Sequence, residues 1–186
     1  MSRTVANSVA TLHLLTGTWA SGKTSLIPHL VPLLPRAVVF DWDALLPGLS
    51  AAAGKDAHRD PSAWEGLGMM WIAIVRSVLA GGRDVVLCGP ATPGDFAASG
   101  IDPASIRCAF LDLPDDDLVQ RLRARGEREQ DIADEIASLA ALRASGCTPL
   151  PVDGRDPRQV AALVAAWVSA AGDQSGDEGR ERLPAN

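Results

Sequence analysis

The chain is poor in the residues that build metal centres and disulfide frameworks. Its three cysteines, Cys88, Cys108 and Cys147, lie far apart, include no CxxC pair and are odd in number. That pattern suits a reducing cytoplasm and supplies no metal framework. The histidines, His13, His29 and His58, are equally scattered, and none has a second ligand at i+3 or i+4, so no protein-held transition metal is expected. These Cys and His residues read as ordinary packing or surface positions. Long hydrophobic runs are missing too. The apolar stretches are short or broken by Pro, Gly or charge, so no segment of ~20 residues reads as a membrane span. Met1 to Ala10 lacks the apolar core of a signal peptide. Positive charge is in deficit, with 17 Lys+Arg against 23 Asp+Glu and a net charge of −6. This argues against general affinity for a nucleic-acid backbone or an anionic membrane and leaves a small molecule as the expected partner.

What is present is a globular composition, 47% apolar and 22% charged over 186 residues, enough for one well-packed domain. Short apolar runs alternate with longer helical patterns, which predicts an α/β fold, a parallel sheet with helices on both faces. Strands are expected at Leu12–Thr16, Ala37–Phe40, Asp84–Cys88, Ile106–Leu111 and Thr148–Val152. A helix should open near Gly22, kinked or shortened by Pro28 and Pro32. Asp60-Pro61 and Asp156-Pro157 each pair a cap with a proline at the first helical position. Further helices are expected over Pro114–Arg123 and from about Glu127 to Ala144. The domain spans 1–171, and from Gly172 to Asn186 the composition turns to Gly, Asp, Glu, Arg and Ser, read as a disordered acidic tail.

The strongest chemical signal is Gly17-Thr18-Trp19-Ala20-Ser21-Gly22-Lys23-Thr24, a complete GxxxxGK[ST] match. It follows an apolar strand and opens a helix, the context a phosphate-binding loop requires. The glycines let successive amides turn inward, and the helix N-terminus adds its positive dipole end. Lys23 would reach the β and γ phosphates and the Thr24 hydroxyl would ligate Mg²⁺. Residues 17–24 with Ser25 are thus the candidate nucleotide-binding set. Trp19 has two readings, a hydrophobic cover against a neighbouring loop or a ring stacking on substrate, of which the cover is favoured.

Phe40-Asp41-Trp42-Asp43 follows the second strand. Ligands in open parallel sheets sit beyond the carboxyl ends of the strands. Strand alternation would put Asp41 and Asp43 on one side and turn Trp42 toward the packing face. The competing reading makes Asp43 a helix cap ahead of Ala44-Leu45-Leu46. After the third strand, Gly89 and Pro90 form a tight turn on the same side of the sheet, the side on which ligands sit. There Gly89 either permits close approach of substrate or is a plain turn glycine.

GTWASGKT, FDWDALLPG and the arginine-rich RLRARGER segment together resemble the small P-loop kinases, the branch that contains shikimate kinase, gluconate kinase and chloramphenicol phosphotransferase. The resemblance runs from about Thr11 to Ala171 and is most specific at the phosphate loop. It implies a three-layer P-loop NTPase fold with a five-stranded parallel sheet and a small arginine-rich lid over about 121–145. It implies ATP and Mg²⁺ as donor and cofactor. It further implies Asp43 as the base contacting the acceptor hydroxyl, and Asp41 positioning Mg²⁺ partly through water. In such kinases arginines after the fourth strand close on the triphosphate, which points to Arg121 and Arg125, then Arg128, with Arg123 facing solvent and Gly126 as hinge. The alternative is a solvated charged helix face paired with Glu129, Asp131, Asp134 and Glu135. No acid ends the third strand, which weakens a motor-ATPase reading.

Trp64 and Trp71 share a helix face and read as core before pocket wall. Leu49 to Asp60, with Lys55, His58 and Arg59, is the expected acceptor-binding insertion. The resulting expectation is an ATP-dependent phosphotransferase acting on a hydroxyl of a small polar metabolite or antibiotic, as monomer or homodimer. A nucleoside or nucleotide kinase and a slow regulatory NTPase module remain as alternatives.

Overall fold

The computed structural model describes residues 9–57 and 60–174. Five parallel strands, β1 Leu12–Thr16, β2 Ala37–Asp41, β3 Asp84–Cys88, β4 Ile106–Asp112 and β5 Thr148–Pro151, form one sheet in the order β2-β3-β1-β4-β5. Among the described residues six α-helices surround it: α1 Lys23–Leu30, α2 Leu46–Ala53, α3 Pro61–Ala80, α4 Asp115–Ala124, α5 Glu129–Ala144 and α6 Pro157–Gln174. The α/β three-layer architecture follows from where the apolar side chains go. On β1 every position is buried; Leu12 and Leu14 pack with Leu67, Trp71 and Val75 of α3, while Leu15 packs with Leu26 and Leu30 of α1 and Val164 of α6. A central strand needs apolar residues on both faces, and LHLLT supplies them with His13 and Thr16 as the exceptions. The edges are blunted: β2 is only half-buried, and β5 carries Pro149 and Pro151, which cannot donate to a further strand.

Chain order reverses on either side of β1, since β3 flanks it on one side and β4 on the other. That is the switch point at which open α/β sheets hold ligands beyond their strand ends. The helix starts are built as the sequence predicts. Asp60 Oδ1 accepts the Ser62 N–H at 3.0 Å, and Asp156 Oδ1 accepts from the Arg158 and Gln159 amides at 2.8 and 2.9 Å.

Four expectations change. Residues Leu46–Ala53 form α2, so the expected acceptor-binding insertion begins in a helix; His58 and Arg59 lie outside the described residues. Helix α6 continues to Gln174, past the expected boundary at Gly172, and the remainder of the expected tail lies outside the described residues, as does the N-terminal stretch 1–8. The cysteines are not three unpaired residues: Cys108 and Cys147 form a disulfide, and Cys88 is free and buried. The register pairs Ala109 with Thr148, so the residues just before them lie side by side, at a Cα separation of 4.9 Å, despite 39 intervening steps of sequence. Finally, Ser62–Ala80 of α3 is long and apolar enough to cross a membrane by length and composition, with mean hydropathy 1.3. Its glycines and its two charges, Glu65 and Arg76, do not break the apolar run as the sequence reading assumed. Here the helix lies on the sheet through Leu67, Trp71 and Val75, while Met69 and Met70 stay exposed.

Candidate active site

The loop from Gly17 to Gly22 joins the carboxyl end of β1 to α1. Gly22 sits at φ +104° as the residue before the helix, a conformation a side chain would strain. Ala20, which is not glycine, is also left-handed at φ +60°, a local cost of ~1–2 kcal/mol that the packed surroundings sustain. Lys23 Nζ donates to the carbonyls of Gly17 at 2.7 Å and Thr18 at 2.9 Å, and to Ser21 Oγ at 3.3 Å. The ammonium therefore lies in the mouth of the loop. Burial lowers its pKa, and the charges of Asp43, Glu135 and Asp41, in that order, act the other way. Thr18 Oγ1 is buried in the same loop without a hydrogen-bond partner. Thr24 and Ser25 are exposed in the first turn of α1.

The acids at the end of β2 are arranged differently from a continuing strand. Asp41 Oδ1 accepts the Asp43 N–H at 3.1 Å, and the chain turns at once into a 3-10 turn over Trp42–Leu45. The capping carboxylate is Asp41, not Asp43, and alternation does not extend past Asp41 because the strand ends there. Asp43 is exposed and Asp41 half-buried, and both charges act on Lys23. Trp42 is buried as expected. It stacks on Trp71 with ring centroids 6.0 Å apart, and its carbonyl accepts the Trp71 Nε1–H at 3.1 Å. Trp71 thus belongs to the core, while Trp64 is half-buried against the same cluster.

Gly89 is buried at the end of β3, and what lies against it is Trp42: a Cβ at position 89 would fall 2.4 Å from Trp42 Cβ. Neither reading from the sequence anticipated this packing role. Pro90 is exposed beside it. The strand ends on Cys88, whose thiol is pushed up to about 12 by burial and by Asp41, so it stays protonated.

The arginines separate. Arg121 Nη1 makes long contacts of 3.4 Å to the carbonyls of Ala20 and Ser21. Arg123 makes a two-point pair with Glu129 in solvent, and Arg128 does the same with Asp131. Arg125 is exposed where α4 ends. Trp19 keeps 47% of its surface exposed.

Two contacts escaped the sequence reading. Glu135 of α5 accepts the Trp19 N–H at 2.8 Å. Its signal was an acid spaced with Ile132, Ile136 and Leu139 on the packing stripe of a helix. Arg143, at the far end of α5, binds Asp112 at 2.9 Å, Asp115 at 2.7 Å and the Leu113 carbonyl at 2.9 Å, tying α5 to the end of β4 and the start of α4. A lone arginine on a helix end gave no sequence cue to that role.

The strand, loop and helix around Lys23, on a β2-β3-β1-β4-β5 sheet, define a P-loop NTPase fold. Among solved structures, the chain is similar to a tunicamycin resistance protein from Deinococcus radiodurans, at 17% identity and TM-score 0.63 over 86% of this chain and 95% of that one. It is similar to a gluconokinase from Sinorhizobium meliloti, at 16% identity and TM-score 0.58 over 89% and 95% of the two chains. It is also similar to a shikimate kinase from Aquifex aeolicus, at 14% identity and TM-score 0.57 over 89% and 99%. No protein-family model matches the chain, and no curated protein matches it in sequence. Within the P-loop class, the fold is that of the small P-loop kinases.

Proposed function

We propose that this chain is an ATP-dependent kinase that transfers the γ-phosphoryl group to a hydroxyl of a small polar metabolite or antibiotic. The observation that carries the reading is the placement of Lys23 in the mouth of the phosphate loop with Asp43 as the first of the charges acting on it. Phosphoryl transfer asks for charge stabilisation and alignment more than covalent help. The loop amides and Lys23 bind the phosphates, with the ammonium leaving the Gly17 and Thr18 carbonyls for phosphate oxygens. Arg121, already against the loop carbonyls, adds a cation to the transferring group. Asp43, exposed at the turn after β2, accepts the proton of the acceptor hydroxyl.

The donors near the loop are hard oxygens, the Thr24 hydroxyl and the Asp41 carboxylate, whose second oxygen lies outside its bond to the Asp43 amide. They suit Mg²⁺, which keeps waters and phosphate oxygens in its shell and needs few protein ligands. Bound there, Mg²⁺ supplies neutralisation of phosphate charge. The acceptor enters beside Asp43, Gly89 and Pro90.

The test is a panel of hydroxyl-bearing metabolites and antibiotics, including nucleosides, scored for acceptor-stimulated ADP release. Stimulation by a non-nucleoside hydroxyl compound supports the reading. Stimulation by nucleosides or nucleotides alone makes it a nucleoside kinase, and slow release that no acceptor changes makes it a regulatory NTPase.

A further inference from the structure

Helix α5 aims an acid at the loop that would take phosphate. Glu135 is half-buried beside the packing stripe of Ile132, Ile136 and Leu139, which brings its side chain to the exposed rim of the loop. Its Oε2 accepts the Trp19 N–H at 2.8 Å, from a residue 116 positions away in the chain. Trp19 stands between the two glycines of the Gly17–Thr24 loop, in the arc whose inward amides cradle phosphate oxygens. The Glu135 charge also acts on Lys23, opposing the lowering of its pKa by burial.

We propose that Glu135 is a gate on the phosphate loop, a built-in anion that competes with nucleotide phosphoryl oxygens for the Trp19 N–H and must withdraw before the nucleotide seats. The proposal rests on the nucleotide-binding reading above. One N–H cannot serve two anionic acceptors well, and a carboxylate left beside a bound phosphate would repel it. Withdrawal needs only rotation of the Glu135 side chain. The helix end beyond it stays anchored through Arg143 on Asp112, Asp115 and the Leu113 carbonyl. Glu135 thereby sets nucleotide affinity and is a specificity residue for the phosphate moiety.

The experiment is isothermal titration of wild type, Glu135→Gln and Glu135→Ala with Mg-ATP, pyrophosphate and adenosine. Glutamine keeps the size and an acceptor oxygen but loses the charge. Both variants should bind ATP and pyrophosphate about tenfold more tightly, the worth of one charged hydrogen bond, with no change for adenosine. The KM for ATP should fall by the same factor. Melting curves identify a variant that fails to fold, and the near-isosteric Glu135→Gln carries the test if alanine does not fold. Unchanged or weaker pyrophosphate binding in Glu135→Gln overturns the gate while leaving nucleotide binding by the wild type intact. If neither wild type nor variants bind ATP or pyrophosphate, the nucleotide reading falls and the gate falls with it.

Discussion

Replacing Gly89 with alanine would set a methyl group 2.4 Å from Trp42 Cβ and 2.9 Å from Trp42 Cγ. Neither atom is the loose end of a side chain. Trp42 is 6% exposed, its ring stacks on Trp71 and its carbonyl holds the Trp71 Nε1–H, so relief has to come from moving the Trp42 backbone. That backbone links Asp41 to Asp43. Overpacking of this kind costs ~1–3 kcal/mol. In a domain of this size each kcal/mol moves Tm by ~2–4 °C, so Gly89→Ala should lower Tm by roughly 2–12 °C. Circular-dichroism melts measure the shift, and phosphotransfer assays on the folded fraction measure a further loss of kcat from displacement of Asp43. The contact is isolated by repeating the substitution in a Trp42→Gly background, where the Cβ, Cγ and ring contacts are all gone. There most of the penalty should disappear, a coupling of ~1 kcal/mol or more. An unchanged Tm for Gly89→Ala, or the same cost in both backgrounds, would refute the packing role assigned to Gly89.

Asp43→Asn should leave ATP affinity near wild type, because the amide of residue 43 still caps on Asp41, yet lower kcat by ~10²–10⁴; full turnover would leave Asp43 without a chemical role. Lys23→Ala should abolish turnover in the coupled ADP assay, since it removes the cation from the loop mouth. His13 is fully buried with neither ring nitrogen hydrogen-bonded, and burial pushes it from 6.5 down to about 4. Between those values the unfolded chain takes up a proton that the folded chain refuses, so stability is full above pH 6.5 and declines as pH falls toward 4, by about 3 kcal/mol over the window. Urea titrations at pH 4.5 and 7 should show this decline in wild type and a smaller one in His13→Leu.

The fold was legible because the strands are short apolar runs between capped helices, and because two of the caps, Asp60 and Asp156, announce themselves with a following proline. The phosphate loop was legible for the same reason: its glycines and Lys23 are contiguous in sequence. What was hidden depends on contacts between distant segments. Asp41 caps a turn that alternation could not foresee, since strand periodicity carries no information about where the strand stops. The disulfide depends on the β4–β5 register, and the tight contact of Gly89 depends on a tryptophan from the neighbouring strand's exit. Glu135 looked like one more member of a charged helix. Only packing of α5 distinguishes it from Glu129 and Asp131, which pair with neighbouring arginines in solvent.

The central claim is transfer of a phosphoryl group from nucleotide bound at the Lys23 loop to a hydroxyl positioned by Asp43. Phosphorus NMR of Mg-ATP with the acceptor that most stimulates ADP release tests it directly, in wild type and in Asp43→Asn. Formation of a phosphate monoester in step with ADP, sharply slowed in Asp43→Asn, is the predicted result. Release of inorganic phosphate alone, at a rate indifferent to acceptor and to Asp43, would contradict it.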